Sequence, residues 1–128
     1  MIIKQLSVFL ENRSGTLQEV LKILKKENIN ILALSLADTS EFGLLRLIVE
    51  DPLPAKEAIK AAGYTSSVNE VISIELKNEA GYLSSLIGKI SESGDNIEYM
   101  YAAPYFDGKV SMIIKTDNVR KDNNIIES

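Results

Sequence analysis

Cysteine and histidine are both absent from this chain. Without cysteine there is no disulfide, no thiolate nucleophile and no zinc–thiolate site. Without histidine the commonest general base and the commonest transition-metal ligand are missing. A basic excess is also lacking: 14 Lys and Arg against 18 Asp and Glu give a net charge of −4. That is the wrong sign for a protein that embraces nucleic-acid phosphates. No apolar run approaches the ~20 residues needed to cross a bilayer. The start, Met1-Ile2-Ile3-Lys4-Gln5, lacks the charged-then-apolar layout of a secretory signal. These absences favour a cytoplasmic protein that is not an enzyme, needs no cofactor, and has neither nucleic-acid nor membrane partners. What is present is ordinary for a soluble globular protein: 128 residues, 45% hydrophobic and 25% charged.

The chain repeats itself at an offset of 66 residues, so that Asn12-Arg13-Ser14-Gly15-Thr16-Leu17 lies over Asn78-Glu79-Ala80-Gly81-Tyr82-Leu83. Seven of the 26 pairs between positions 6 and 31 are identical: Ser7/Ser73, Leu10/Leu76, Asn12/Asn78, Gly15/Gly81, Leu17/Leu83, Asn30/Asn96 and Ile31/Ile97. Chance would give roughly two. The apolar pattern repeats too, as Leu6/Ile72, Val8/Ile74, Val20/Leu86, Leu21/Ile87 and Leu24/Ile90. Two copies of one unit follow, residues 1–70 and 71–128, with net charges of −1 (8 basic, 9 acidic) and −3 (6 basic, 9 acidic).

In the first copy Leu6, Val8 and Leu10 alternate with Gln5, Ser7 and Phe9, the mark of a half-buried strand. Leu17, Val20, Leu21 and Leu24 make one apolar helix face. Its start lies near Ser14 to Thr16, and Thr16-x-x-Glu19 has the form of a capping box. Strands are expected at Ile31–Ala37 and Leu44–Val49, with a turn at Ser40-Glu41-Phe42-Gly43. Pro54 opens a second helix that Gly63 closes. Tyr64–Val68 reads as a last, weak strand. The order βαββαβ is the ferredoxin-like split unit.

The second copy follows the plan through Ile72–Leu76, Leu83–Ile90, Ile97–Ala103 and Val110–Lys115, with a turn at Asp107-Gly108. From 116 to 128 it is polar without an apolar stripe, which predicts an irregular or frayed tail and a truncated second repeat. The expected fold is α+β: two ferredoxin-like repeats side by side, one mostly antiparallel sheet, helices on one face.

These residues resemble the ACT domain, a ligand-binding regulatory module of amino-acid metabolism, here as a tandem pair. Asn12-Arg13-Ser14-Gly15-Thr16-Leu17 is similar to the family's loop between strand 1 and helix 1, which in serine-inhibited phosphoglycerate dehydrogenases reads Asn-Arg-Pro-Gly and then Leu. Asn30-Ile31 resembles the pair opening its second strand, and Asn78, Gly81, Leu83, Asn96 and Ile97 repeat both signatures. The family's proline is replaced by Ser14 and Ala80, and some serine-binding members have histidine where Leu10 and Leu76 stand. The resemblance implies an amino-acid site at the seam of the two repeats. It would be lined by Asn12, Ser14, Gly15, Thr16, Asn30 and Ile31 and by Asn78, Ala80, Gly81, Tyr82, Asn96 and Ile97. The ligand is then an amino acid or similar small carboxylate, and a metabolic enzyme is the implied regulatory partner.

Elementary chemistry points the same way. The first turn of a helix offers unpaired N–H groups and a partial positive charge to a carboxylate. Glycine lets a ligand approach the backbone, and an asparagine amide both donates and accepts. Three or four hydrogen bonds to charged groups, each ~1.5–3 kcal/mol, reach micromolar to millimolar affinity after association costs. Plainer roles stand beside these. Asn12 and Asn78 also suit turns or caps. Asn30 and Asn96 suit helix exits after Asn28-Ile29 and Gly94-Asp95. Tyr82, Tyr99 and Tyr101 replace Thr16, Ala33 and Ser35, either as sheet packing or as a plug that makes the two sites unequal.

An acylphosphatase-type hydrolase, with Arg13 and Asn30 as its pair, is the catalytic alternative, although Glu79 breaks the repeat of the arginine. A purely structural or interaction module is another. An RNA-recognition module needs strand aromatics that Leu44–Val49 and Val110–Lys115 lack. Finally, the family pattern puts Ile31 inward and therefore Leu32, Leu34 and Leu36 outward beside Phe9. That apolar sheet face predicts a homodimer.

Overall fold

The computed structural model describes residues 1–11, 13–38, 42–104 and 109–127. The elements are β1 (Ile2–Glu11), α1 (Thr16–Lys26), β2 (Ile31–Asp38), β3 (Phe42–Val49) and α2 (Pro52–Ala61). They continue with β4 (Thr65–Glu75), α3 (Tyr82–Glu92), β5 (Ile97–Ala103), β6 (Ser111–Thr116) and α4 (Val119–Glu127). Two compact units result: Lys4–Asn69, and Glu70–Ser128 together with Met1–Ile3. β1 and β4 therefore each supply residues to both.

In the first unit the strand order is β2-β3-β1-β4. β3 is antiparallel to both β1 and β2. Leu6 and Val8 stand opposite Leu47 and Leu45 and so share a sheet face with them. On that face lie Val20 and Leu24 of α1 and Ala55 and Ile59 of α2, all buried. Both helices thus cover one side, as the apolar alternation of β1 requires. Each leucine buried there stabilises by about 1.5–3 kcal/mol. Asp51 caps α2, its carboxylate accepting the Leu53 N–H at 3.2 Å.

The second unit orders its strands β5-β6-β4. Ile72, Met112 and Ile114 pack on Leu86 and Ile90 of α3 and Ile126 of α4. The remaining neighbour of β4 here is the start of the chain. The Met1 amine donates to the Ser73 carbonyl at 3.0 Å, and the Ser73 N–H donates to the Met1 carbonyl at 2.7 Å. This is a hydrogen-bonded antiparallel pair. Met1–Ile3 thereby fill the fourth-strand place of this unit.

Several sequence expectations need correction. Residues 119–127 form a helix, not an irregular tail, and Asp122, Asn123 and Ile126 are buried. Its stripe is Val119, Asp122, Asn123 and Ile126, with polar residues at two of four positions. Asp122 accepts the Ser93 hydroxyl at 3.0 Å, and Asn123 Oδ1 accepts the Met1 amine at 2.8 Å. These bonds offset part of the cost of burying the two polar side chains, although Asp122 is bonded through one carboxylate oxygen only. Tyr64–Val68 and Ile72–Leu76 are not two strands, because β4 runs unbroken from Thr65 to Glu75. α2 begins at Pro52, not Pro54. Phe42 and Gly43 open β3 rather than a turn; Ser40 and Glu41, like the expected Asp107-Gly108 turn, lie outside the described residues.

The expected dimer face also fails. The β2–β3 register shifts between Ile31 and Ala33, and beyond the shift Leu34 stands opposite Leu47 and Leu36 opposite Leu45. Leu34 and Leu36 are therefore on the helix-covered face, while Ala33, Ser35 and Ala37 share the Phe9 side. An extra residue reverses the facing of all that follow it. The second unit shifts at the equivalent point, between Ile97 and Tyr99. Leu34 and Leu36 are still half exposed, because β2 is the edge strand of its unit. Phe9 meets Phe42 instead, with ring centroids 5.8 Å apart.

Candidate functional site

Among the described residues, the loop after β1 and the loop within 76–81 share a backbone bond and a glycine cap. Arg13 N–H donates to the Glu11 carbonyl at 2.8 Å, and Glu79 N–H to the Lys77 carbonyl at 2.9 Å. Gly15 and Gly81 then take the N-cap positions of α1 and α3 with φ of 92° and 80°. That left-handed conformation is easy for glycine and strained for residues with a Cβ. Neither helix has a side-chain cap bond, so the expected Thr16–Glu19 capping box is absent. Thr16 is the first helical residue instead, and its hydroxyl donates to the carbonyls of Glu11 and Arg13 at 3.2 and 3.3 Å.

Each loop borders a cavity in its own unit. The first, of about 280 Å³, is lined by Leu10, Glu11, Arg13, Thr16, Leu36 and Asp38, among others. The second, of about 370 Å³, is lined by Leu76, Lys77, Asn78, Glu79, Gly81 and Val110, among others. Both join a helix N-terminus to an apolar floor, an arrangement that can hold a small carboxylate bearing an apolar side chain.

The structure separates the expected site residues within each unit. Gly15, Ser14 and Thr16 follow Glu11, at the end of the sheet where Asp38 meets Gly43. Asn30 precedes Ile31, which meets Val49 at the other end, and it borders a different cavity with Asn28 and Ile29. Ile31 packs on the first core. In the second unit Ala80 and Gly81 lie in the loop, Tyr82 is the first residue of α3, and Asn78 is exposed in the loop. Asn96 is again at the far end, where its N–H donates to Asp117 at 2.9 Å, and Ile97 packs on the second core. Asn28 takes φ 57° at the exit of α1, and Gly94, 66 residues on, takes φ 87°. Arg13 and Asn30 also stand at opposite ends of their unit, so no acylphosphatase-type pair forms. Asn12 lies outside the described residues. Tyr99 and Tyr101 stack at 6.5 Å on the sheet face away from the helices. They are sheet packing, and the second cavity is the larger one.

Sequence reasoning missed a network around the first loop. Arg13 Nε lies 3.3 Å from Glu11, and its Nη1 lies 3.6 Å from Glu19. The Tyr64 hydroxyl donates to the other oxygen of Glu19. That bond holds the Glu19 carboxyl below its usual range, with help from the Arg13 charge, and pushes the Tyr64 hydroxyl up against the opposing pull of Arg13. Glu11 and Glu19 together raise Arg13. These residues, with Phe9 and Phe42, line a further cavity of about 300 Å³. In the second loop, Lys77 Nζ lies 5.6 Å from the centroid of the Tyr82 ring.

Two α+β units of one ferredoxin-like plan, each with a glycine-capped loop, define a tandem regulatory-domain architecture. The chain belongs to the ACT domain pair family, matching it over residues 1–128. It is similar to protein BT0572 from Bacteroides thetaiotaomicron, with 40% identity over 99% of this chain and 88% of that one, and a TM-score of 0.88. It also shares its fold with the ligand-free regulatory subunit of aspartate kinase from Thermus thermophilus: 14% identity, coverage of 99% and 95%, TM-score 0.68. The corresponding subunit from Thermus flavus aligns with 15% identity, coverage of 99% and 94%, and TM-score 0.64. No curated protein matches. Among the described residues, no helix is long and apolar enough to cross a membrane, and no cluster of three or more metal-ligating side chains occurs.

Proposed function

We propose that this protein is a regulatory sensor that binds a small L-amino acid and passes the binding event to a partner enzyme in the cytoplasm. The reading rests on one observation above all. The family's loop occurs twice, and both copies place a left-handed glycine at the N-terminus of a helix beside a cavity. The contacts would come from the loop backbone at Gly15, Thr16, Gly81 and Tyr82, with the Asn12 and Asn78 amides orienting the ligand. The fold shared with aspartate-kinase regulatory subunits supports a regulatory output.

A thermal-shift screen of the twenty L-amino acids tests this. Binding at 100 times the dissociation constant adds about 2.7 kcal/mol and moves the midpoint by several degrees. Alanine in place of the asparagine of an occupied loop, Asn78 or Asn12, should then weaken binding by about 1–3 kcal/mol. A flat screen would refute the proposal. Self-association belongs to the same proposal, with edge strand β2 as the contact. Its unpaired backbone edge and the exposed Leu34 and Leu36 support that contact. Light scattering should report a dimer that Leu34→Glu converts to folded monomers; a native monomer at micromolar concentration refutes this part.

A further inference from the structure

The two loop cavities occupy equivalent places in the repeat, yet their charges are arranged in opposite ways. Position 11 is Glu and its equivalent 77 is Lys; position 13 is Arg and its equivalent 79 is Glu. Position 38 is Asp, and 66 residues on stands Pro104.

In the first loop the charges are already used. Arg13 is held by Glu11 at 3.3 Å and by Glu19 at 3.6 Å, and Glu19 is held in turn by Tyr64. With Asp38 also in the lining, the described residues there carry two carboxylates against one committed guanidinium. An incoming carboxylate would meet like charge and would have to break an existing ion pair.

The second loop lacks these partners. Ser85 replaces Glu19 in the repeat, and Lys77 and Glu79 form no ion pair among the described residues. Lys77 is instead poised over the Tyr82 ring at 5.6 Å, at the wall of the larger cavity. Among the described residues, Lys77 and Glu79 are thus a cation and an anion on one loop without an ion-pair partner. An amino-acid zwitterion presents the complementary pair, its carboxylate for Lys77 and its ammonium for Glu79. The apolar floor of Leu76, Leu83 and Val110 is left for an uncharged side chain.

We propose that the chain takes one ligand rather than two, a zwitterionic amino acid with an apolar side chain bound at the second loop. Lys77 is the residue that selects its carboxylate, and the first loop is closed to anions. This rests on the amino-acid-binding reading above and narrows it to one loop.

Titration calorimetry of the full chain tests it, using whichever amino acid gives the largest thermal shift. One ligand per chain is expected. Lys77→Gln should weaken affinity about tenfold or more, through loss of a hydrogen bond to a charged group, and Lys77→Arg should largely restore it, whereas Arg13→Gln should change it by less than about twofold. On the unaltered chain, the carboxamide of the same amino acid should lose affinity comparably, a readout independent of how any variant folds. Two ligands per chain, or loss on Arg13→Gln with Lys77→Gln unaffected, overturns the inference and leaves amino-acid sensing intact. No response to any amino acid overturns both.

Discussion

Met1 and Ser73 exchange both of their backbone hydrogen bonds, at 3.0 and 2.7 Å, although 72 positions separate them. Through this pair the first three residues complete the second unit. The Met1 amine also lies 2.7 Å from Glu127 of α4 and holds that carboxyl below its ordinary range. Deleting Met1–Ile3 is therefore expected to loosen the second unit selectively. Hydrogen exchange should quicken at Ile72, Ser73 and residues 119–127, while amides of Leu45 and Leu47 in the first unit stay protected.

The glycines at the two loops differ in kind from the glycine inside α3. At Gly15 and Gly81 an added Cβ would meet nothing within 4 Å, so space is not limiting, but φ is 92° and 80°. Alanine at either position should destabilise by about 1–2 kcal/mol, the cost of a left-handed backbone. Gly88 also has open space around it and sits in the α3 helix. Gly88→Ala should stabilise by about 0.5–1 kcal/mol. Urea unfolding of the three variants checks the opposite signs.

Asp51 caps α2 through the Leu53 N–H. Asp51→Ala should cost about 1 kcal/mol, and Asp51→Asn or Asp51→Ser much less, because an amide or hydroxyl oxygen can still accept. Thermal melts of the three variants measure this directly.

The Glu19 carboxyl titrates below its usual value of 4.5 in the folded chain, chiefly because Tyr64 donates to it. A depressed folded value means the bond stabilises above the unfolded value and is lost as pH falls through the folded one. Tyr64→Phe should therefore lower the melting midpoint slightly at neutral pH. The gap from the native chain should close in acid below the ordinary carboxylate range. Glu19 is exposed and the bond itself lies at the surface, so the effect is small; a gap that persists in strong acid would contradict the assignment.

Much of the architecture was legible because it rests on local periodicity. Leu6, Val8 and Leu10 are buried as their alternation demands, and Val20 and Leu24 face the core as their helical spacing demands. The 66-residue offset exposed the duplication, and Gly15 and Gly81 mark equivalent loops. The facing of β2 was not legible. Nothing in Ile31-Leu32-Ala33-Leu34 announces a shifted register, and that one shift moved Leu34 and Leu36 to the other face. Helix α4 was hidden for a different reason. Asp122 and Asn123 occupy its buried stripe, and their partners Ser93 and Met1 lie 29 and 122 positions away.

What the sequence alone determined was the repeated unit, most of its secondary elements and the loops that carry the candidate site. Each depends on residues within one turn of helix or one strand of each other. The tertiary structure decided which charges in those loops are already committed. Arg13 and Glu19 are six positions apart, but Tyr64 reaches Glu19 from 45 positions away, and Lys77 has no ion-pair partner among the described residues. A charge that is near in sequence acquires its meaning from neighbours that only folding brings within reach, because Coulomb and hydrogen-bond energies depend on distance in space.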